Sequence, residues 1–369
     1  MIARSMSTVS AAPHLRTLAT VAAACVAVLA SHLGYARPAF QDPLDNPAVM
    51  RKNIASRPLM AVSNAGERLV AVGSRGLILT SDDKGENWVQ ARVPVQSDLL
   101  AAHFPTPKKG WAVGHDGVIL HSADGGESWV KQLDGRDAGE RFKAHYEKAI
   151  ANGEAGLEPY LDLLARNFKA GAALPYLDVW FENDQRGYVV GSFGMIAGTT
   201  DGGRTWQPFL DRIDNPEGLN LNSIRGFGDE LFIVGERGLI CELDRASGRF
   251  VARPTDSAGS FFGIAGNGKV LLAYGLRGTA YRSRDGGTSW ERVNVPVDAT
   301  LTAATVNPEA QTFLLVNSAG QMLVGSADGA SLEIRRPAKP MRFTSVAAID
   351  PERVVVSGLG GIRTEAFPR

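Results

Sequence analysis

The sequence predicts an all-β fold, a seven-bladed β-propeller with a helical hairpin inserted between blades 2 and 3. Three observations carry this. One phrase recurs six times between Leu69 and Ala330: a β-rich run ending in Gly, a two-residue turn, Gly or its equivalent, a second β-rich run, and an Asp-Gly turn. A truncated seventh copy ends the chain at Val354-Val-Val-Ser-Gly358-Leu-Gly-Gly361. The markers Gly73, Gly114, Gly191, Gly235, Gly275, Asn317 and Gly358 are separated by 41, 77, 44, 40, 42 and 41 residues. A period of about 40 to 45 residues built from strands and turns is that of propeller blades, four-stranded sheets that bury both faces only when neighbours stack on them. A β-solenoid would turn at a much shorter period and would not need four strands per unit.

Before the repeats, residues 1–36 carry Arg4 and Arg16 and no acid, then an Ala, Val and Leu-rich run over 18–33 and the small-x-small ending Gly34-Tyr35-Ala36. These are the parts of a secretory signal, and the run is short for a stable transmembrane anchor. Cys25 sits inside the run, and the apolar residues that follow it make a poor lipidation box. The protein is expected in the periplasm with no integral membrane span after cleavage. Removing the signal leaves 37 basic and 39 acidic residues, a net charge of about −2. There is neither the basic excess nor the basic stripe of a nucleic-acid binder. One cysteine, Cys241, remains; it forms no internal disulfide and reads as a small buried hydrophobe on a third strand.

Domain boundaries follow: 1–36 signal peptide, 37–57 an N-terminal segment, and 58–369 the propeller, with the insertion at 133–174. Within the second copy, alternation and turn chemistry place strands at 99–104, 110–114, 118–122 and 129–132. The seventh copy supplies 343–348, 353–357 and 362–366 and then stops, so an outer strand is missing. An open sheet edge needs a cover. Residues 44–56, unassigned elsewhere, are expected to pair there and close the ring. The 77-residue gap carries helical spacing, with Phe142, Tyr146, Ala149 and Ile150 on one stripe and Leu157, Tyr160, Leu161, Leu164 and Phe168 on another. Both stripes packing on the propeller is one reading; a partner-binding groove or lid is the other.

After the third strand come Ser81-x-Asp83-x-Gly85-x-x-Trp88, Ser122-x-Asp124-x-Gly126-x-Ser128-Trp129, Thr199-x-Asp201-x-Gly203-x-Thr205-Trp206 and Ser283-x-Asp285-x-Gly287-x-Ser289-Trp290. Asp and Ser accept backbone hydrogen bonds in a tight turn, Gly supplies positive φ, and Trp buries a large apolar area between blades, so these turns are expected to be structural. Degraded copies stand at Asp244 to Gly248 with Phe250, and at Ser326 to Ala330. Asp and Gly also alternate in calcium loops, but each turn has too few carboxylates for about six to eight oxygen ligands. His103, His115, His121 and His145 form no zinc motif. No metal and no cofactor are expected.

These turns are Asp-box (BNR) repeats, and Gly110-Trp-Ala-Val-Gly114-His-Asp-Gly-Val-Ile-Leu-His-Ser-Ala-Asp-Gly-Gly-Glu-Ser-Trp129 resembles the repeat of the photosystem II stability and assembly factor family of seven-bladed propellers. The resemblance extends over essentially the whole chain after the signal. It implies a non-enzymatic scaffold that docks a membrane-protein partner during assembly, in a family that extends to bacteria that do not photosynthesise.

Hairpins of a blade alternate between the two faces of the disc. The Asp boxes lie on one face; the Gly-x-x-Gly turns, the blade-to-blade connections and the insertion lie on the other. Arg75, Arg237 and Arg277 share one position in the Gly-x-x-Gly turns, and His115-Asp116 fills that turn in blade 2. Equivalent positions of a ring are expected to converge on its axis, where guanidinium groups bind carboxylate or phosphate bidentately. Salt bridges to neighbouring blades are the alternative. The resemblance implies an arginine-rich docking patch, for which Arg75, Arg237 and Arg277 are the counterparts, and a membrane or envelope protein as partner, engaged through an acidic segment by a monomer.

Sialidases and other glycoside hydrolases also carry Asp boxes and need paired carboxylates, or a Tyr with a Glu, beside the sugar. No such set is legible; Asp178 on blade 3's inner strand is the best isolated candidate. A glycan-binding or glycoside-hydrolase propeller stays as the alternative reading.

Overall fold

A computed structural model describes residues 41–368; the signal segment 1–36 read from the sequence lies outside them. Seven antiparallel sheets follow in chain order, six of four strands and a last of three. Blade 2 is typical, with strands Leu99–His103, Gly110–Gly114, Ile119–Ser122 and Val130–Leu133. Every residue of the second strands Gly110–Gly114, Gly187–Gly191 and Leu271–Gly275 is buried. A strand covered on both faces must be apolar throughout, which is why these positions read as runs and not as alternation.

The core is divided among the blade interfaces. One cluster joins Val70, Val72 and Ile78 of blade 1 to Ala112, Leu120 and Trp129 of blade 2. The ring closes the same way: Leu59, Val62, Leu69 and Leu79 of blade 1 pack on Val355 and Ile362 of blade 7. Hydrogen bonds seal that joint, from Thr344 Oγ1 to the Leu59 carbonyl at 2.7 Å and from Asn64 Nδ2 to the Ala348 carbonyl at 3.0 Å.

Residues 44–56, expected to form the outer strand of blade 7, take another course. They hold two 3-10 turns, Pro43–Asp45 and Ile54–Ser56, and no strand. The segment runs along blade 1: the Pro43 carbonyl accepts from Gln96 N at 2.7 Å, Ala48 N donates to the Val93 carbonyl at 2.9 Å, and Leu44 is buried beside Val93 and Val95. Pro43 and Pro47 lack the N–H groups a ladder requires, so this stretch could not pair continuously at a sheet edge. Its end does reach blade 7: Ile54 and Ala55 pack against the cluster that holds Val355 and Ile362, and a Cβ on Gly361 would stand 2.1 Å from the Ala55 carbonyl oxygen and 2.7 Å from Ser56 Cα.

The insertion is a helical hairpin, Gly135–Ala151 and Glu158–Asn167, between blades 2 and 3. Asp134 caps the first helix, its carboxylate accepting from Arg136 N at 3.0 Å and from Asp137 N at 3.5 Å. Phe142, Tyr146, Ala149, Leu157 and Leu164 are buried in one cluster with Leu133, Met195 and Leu210 of the propeller. Tyr146 donates its hydroxyl to Asp211 Oδ1 at 2.7 Å. Both apolar stripes are thus spent on the propeller and on each other.

The Asp boxes are closed units. In blade 1, Ser81 Oγ accepts from Gly85 N at 2.9 Å and donates to Asp83 Oδ1 at 2.8 Å, while Asp83 Oδ1 also accepts from Asn87 N at 2.9 Å. Asp124, Asp201 and Asp285 repeat the arrangement. Trp88, Trp129 and Trp290 donate Nε1–H to their own box carbonyls, Gly85, Gly126 and Gly287, at 3.0 to 3.1 Å. Trp206 departs from the set. Gln132 of blade 2 inserts its amide there, donating to the Gly202 carbonyl at 2.8 Å, and Trp206 Nε1 is buried without a partner among the described residues.

The box geometry sets an acid response. Donors from Asn87 and Ser81 hold Asp83 down at about 2, and donors from Ser289 and Ser283 hold Asp285 there too. A carboxylate with a lowered folded-state pKa stabilises the fold fully above its ordinary value near 3.8, and that stabilisation is lost as pH falls to the folded value. The melting temperature is therefore expected to fall between about pH 4 and pH 2, and to fall less steeply in Asp83→Asn/Asp285→Asn, as thermal scans across that range would read. Identical slopes for variant and wild type would remove the boxes from acid unfolding.

Candidate functional site: the Gly-x-x-Gly face and the central channel

Turns between second and third strands repeat one backbone shape in five blades. Their tip residues, Arg75, Asp116, Phe193, Arg237 and Arg277, all sit in the left-handed region with φ between 51° and 60°. A glycine follows each tip; at Gly76 φ is +69° and a Cβ would lie 2.0 Å from the Val95 carbonyl oxygen. Only glycine serves there. The tip itself is thereby thrust outward, and Arg75, Arg237 and Arg277 are exposed, as are His115 and Phe193, the latter at 55%. Phe193 holds in blade 3 the position of the arginines, an equivalence the sequence reading passed over although the phrase Gly191-Ser-Phe-Gly194 carries it. Leu276 and Leu359 are further exposed apolar residues in the same turns of blades 5 and 7.

The tips differ in their partners. Arg237 Nη1 meets Glu217 Oε2 at 2.5 Å, both side chains being more than half exposed. Arg75 donates its backbone N–H to Asp98 Oδ1 at 2.7 Å, and its guanidinium, like that of Arg277, has no ion pair among the described residues. Asp116 Oδ2 accepts from Ser97 Oγ at 2.7 Å and so braces its own turn. Convergence on the axis is not what the ring produces: none of the three arginines lines the central channel. The channel is walled by the first strands, whereas the tips join second to third strands, one and two positions further out.

The channel, about 330 Å³, has its own chemistry. Asp178, buried on the first strand of blade 3, accepts from Ser223 Oγ at 2.7 Å, Ile224 N at 2.9 Å and Arg225 Nη1 at 2.5 Å on one oxygen, and from Val179 N at 2.9 Å on the other. Arg225 lies over Trp180, 5.9 Å from the ring centroid, and His103 stacks on that ring at 3.9 Å. His103 Nδ1 accepts from Phe181 N at 3.0 Å. Burial, helped by the Arg225 charge, pushes this imidazole down to about 3, so at neutral pH it is uncharged. Among the described residues Asp178 is the only carboxylate lining the channel, and its hydrogen-bonding capacity is taken up by protein donors. The pair of carboxylates that glycoside hydrolysis uses is not present at this place. The sequence reading names His103 only as a histidine outside any zinc motif and passes over Arg225 and Trp180. The signal was there: Arg225, His103 and Trp180 hold one position of the first strand, where the other blades carry Ser63, Ala265, Thr305 and Ala347.

Among the described residues no three His, Cys, Asp or Glu side chains could together hold a metal ion, and no helix is long and apolar enough to cross a membrane. Cys241 is buried on the third strand of blade 4, where burial pushes its thiol up to about 12.

With the repeat, the seven sheets and the box turns in place, the chain can be set beside known proteins. Its fold is similar to that of YCF48 bound to D1 peptide, with a TM-score of 0.61 over 87% of this chain and 99% of that one, at 15% identity. YCF48 from Cyanidioschyzon merolae gives 0.59 over 88% and 98%, at 16% identity. The WD40 propeller domain of Doa1 also gives 0.59, over 89% and 97% at 9% identity, so these likenesses speak for the fold alone. The sequence is more discriminating. The photosystem II assembly lipoprotein Ycf48 of Synechococcus sp. (strain CC9902) is 32% identical over 118 residues, 31% of this chain and 35% of that protein, so the shared stretch spans about a third of the relative. The family described as photosynthesis system II assembly factor YCF48 matches residues 80–157 and 167–291, more than half of the chain, and it is to this family that the protein belongs.

Proposed function

We propose that this protein is a non-enzymatic periplasmic factor that assists the assembly or stability of a membrane or envelope complex. It docks an acidic segment of a membrane-protein partner on the Gly-x-x-Gly face, through Arg75, Arg237 and Arg277, with His115 and Asp116 at the same level in blade 2. The observation that carries the reading is the repeated left-handed tip, which presents arginine in three blades and leaves two of the guanidinium groups without an ion pair among the described residues. Exposed Phe193, Leu276 and Leu359 add apolar contact around these charges, the mixture of aromatic, aliphatic and arginine side chains that interfaces favour. Family membership supports the assembly role, and a solved relative described as bound to D1 peptide supports a peptide as the docked form. Export rests on the charge and apolar pattern of residues 1–36.

The test is a pull-down from envelope extracts with wild type and with Arg75→Ala/Arg237→Ala/Arg277→Ala. Exposed ion pairs contribute little to stability, so the triple variant should keep its melting temperature and lose most partner recovery at low salt. Wild-type recovery should itself decline with added salt as the charges are screened. Retention of the partner by the triple variant at low salt would remove this face from the docking role.

A further inference from the structure

The last strand of blade 7, Gly361–Ala366, ends its sheet with no strand beyond it among the described residues. Its six residues exceed the outer strands of the other six blades, which run two to four. Short outer strands protect themselves; a six-residue edge without proline does not. Phe367, just past the strand, is buried between blades 6 and 7 in the place that the box aromatic takes in other blades.

The register shows which backbone groups are free. Phe367 N donates to the Glu352 carbonyl, and Arg363 stands opposite Val356 and Glu365 opposite Val354. In an antiparallel ladder, bonding to one neighbour alternates with bonding to the other. Residues 361, 363, 365 and 367 therefore bond inward, and Ile362, Thr364 and Ala366 direct N–H and C=O groups out of the sheet. Arg363 and Glu365 lie on one face of the strand, joined at 2.6 Å.

We propose that this edge pairs with the same edge of a second copy, antiparallel about a two-fold axis at Thr364. This departs from the monomer expected from the sequence. The charge pattern singles out the occupant: with Thr364 opposite Thr364 of the other copy, Arg363 of each chain faces Glu365 of the other. These are the non-hydrogen-bonded positions, where opposed side chains come closest, so two cross-strand ion pairs form in one step. A two-fold contact requires a self-complementary patch, and Ile362-Arg363-Thr364-Glu365-Ala366 is one.

Sedimentation velocity on residues 37–369 over a concentration series tests it. The wild type should sediment as a reversible dimer. Arg363→Glu sets carboxylate against carboxylate across the two-fold axis, Glu365→Arg sets guanidinium against guanidinium, and each should weaken dimerisation by about ten-fold or more. Three further samples separate pairing from misfolding. The double variant Arg363→Glu/Glu365→Arg should dimerise again, an equimolar mixture of the two single variants should form a mixed dimer, and Thr364→Pro, which removes the central outward N–H, should be monomeric with an unchanged circular dichroism spectrum. A wild type monomeric at every concentration would overturn the proposal, and so would single variants that mix without associating or a dimer that survives Thr364→Pro.

Discussion

Trp129→Ala is expected to destabilise the protein by about 3 to 5 kcal/mol, as urea unfolding would measure. The side chain is 4% exposed and packs against Phe104 in an edge-on contact at 5.8 Å, within the apolar layer that joins blades 1 and 2. Its removal opens a cavity between two sheets that cannot close on it without breaking the register of the ring, and it strips the Gly126 carbonyl of its indole donor. Trp88 in the neighbouring box is only half-buried, so Trp88→Ala should cost less. A Trp129→Ala protein of full stability that no longer captured its partner would instead make the Asp-box face the working surface.

Asp178→Ala is expected to cost about 3 kcal/mol, because one carboxylate serves four donors and its loss leaves the Arg225 charge and two backbone N–H groups of the channel wall uncompensated. The guanidinium is 36% exposed to the channel, which tempers the loss below that of a fully dry pair. Adding Arg225→Ala should restore part of the stability, since the stranded charge is then gone; a double-mutant cycle by chemical denaturation measures the coupling. Additive losses would show that the two side chains act independently. In neither variant is binding to the Gly-x-x-Gly face expected to change, because the channel pair and the turn tips occupy different strands of the blade.

Much of the molecule was legible because its chemistry is local. A box turn satisfies its donors within about five residues, so Ser81, Asp83, Gly85 and Asn87 announce the structure they form, and the same holds for the tip-then-glycine turns. The helical hairpin was readable from two stripes, and both stripes are covered as their spacing asks. What tertiary structure decided lies between residues far apart in the chain. Asp178 and Arg225 stand 47 residues apart and meet only because blades 3 and 4 stack at one register. Trp206 matches its motif, yet a glutamine from the preceding blade changes its surroundings. Residues 44–56 read as a strand to fill a gap, and their backbone found partners on blade 1 instead. The arginine tips shared a sequence position without meeting at the axis, because where a repeated side chain points depends on which strand of the blade it caps. By itself the sequence determined the repeat, the turns and the number of blades, since each is set by backbone preferences within a few residues. The closed ring alone decided which charges are paired, which sheet has three strands among the described residues and which side chains line the channel, since those follow from the stacking of whole sheets.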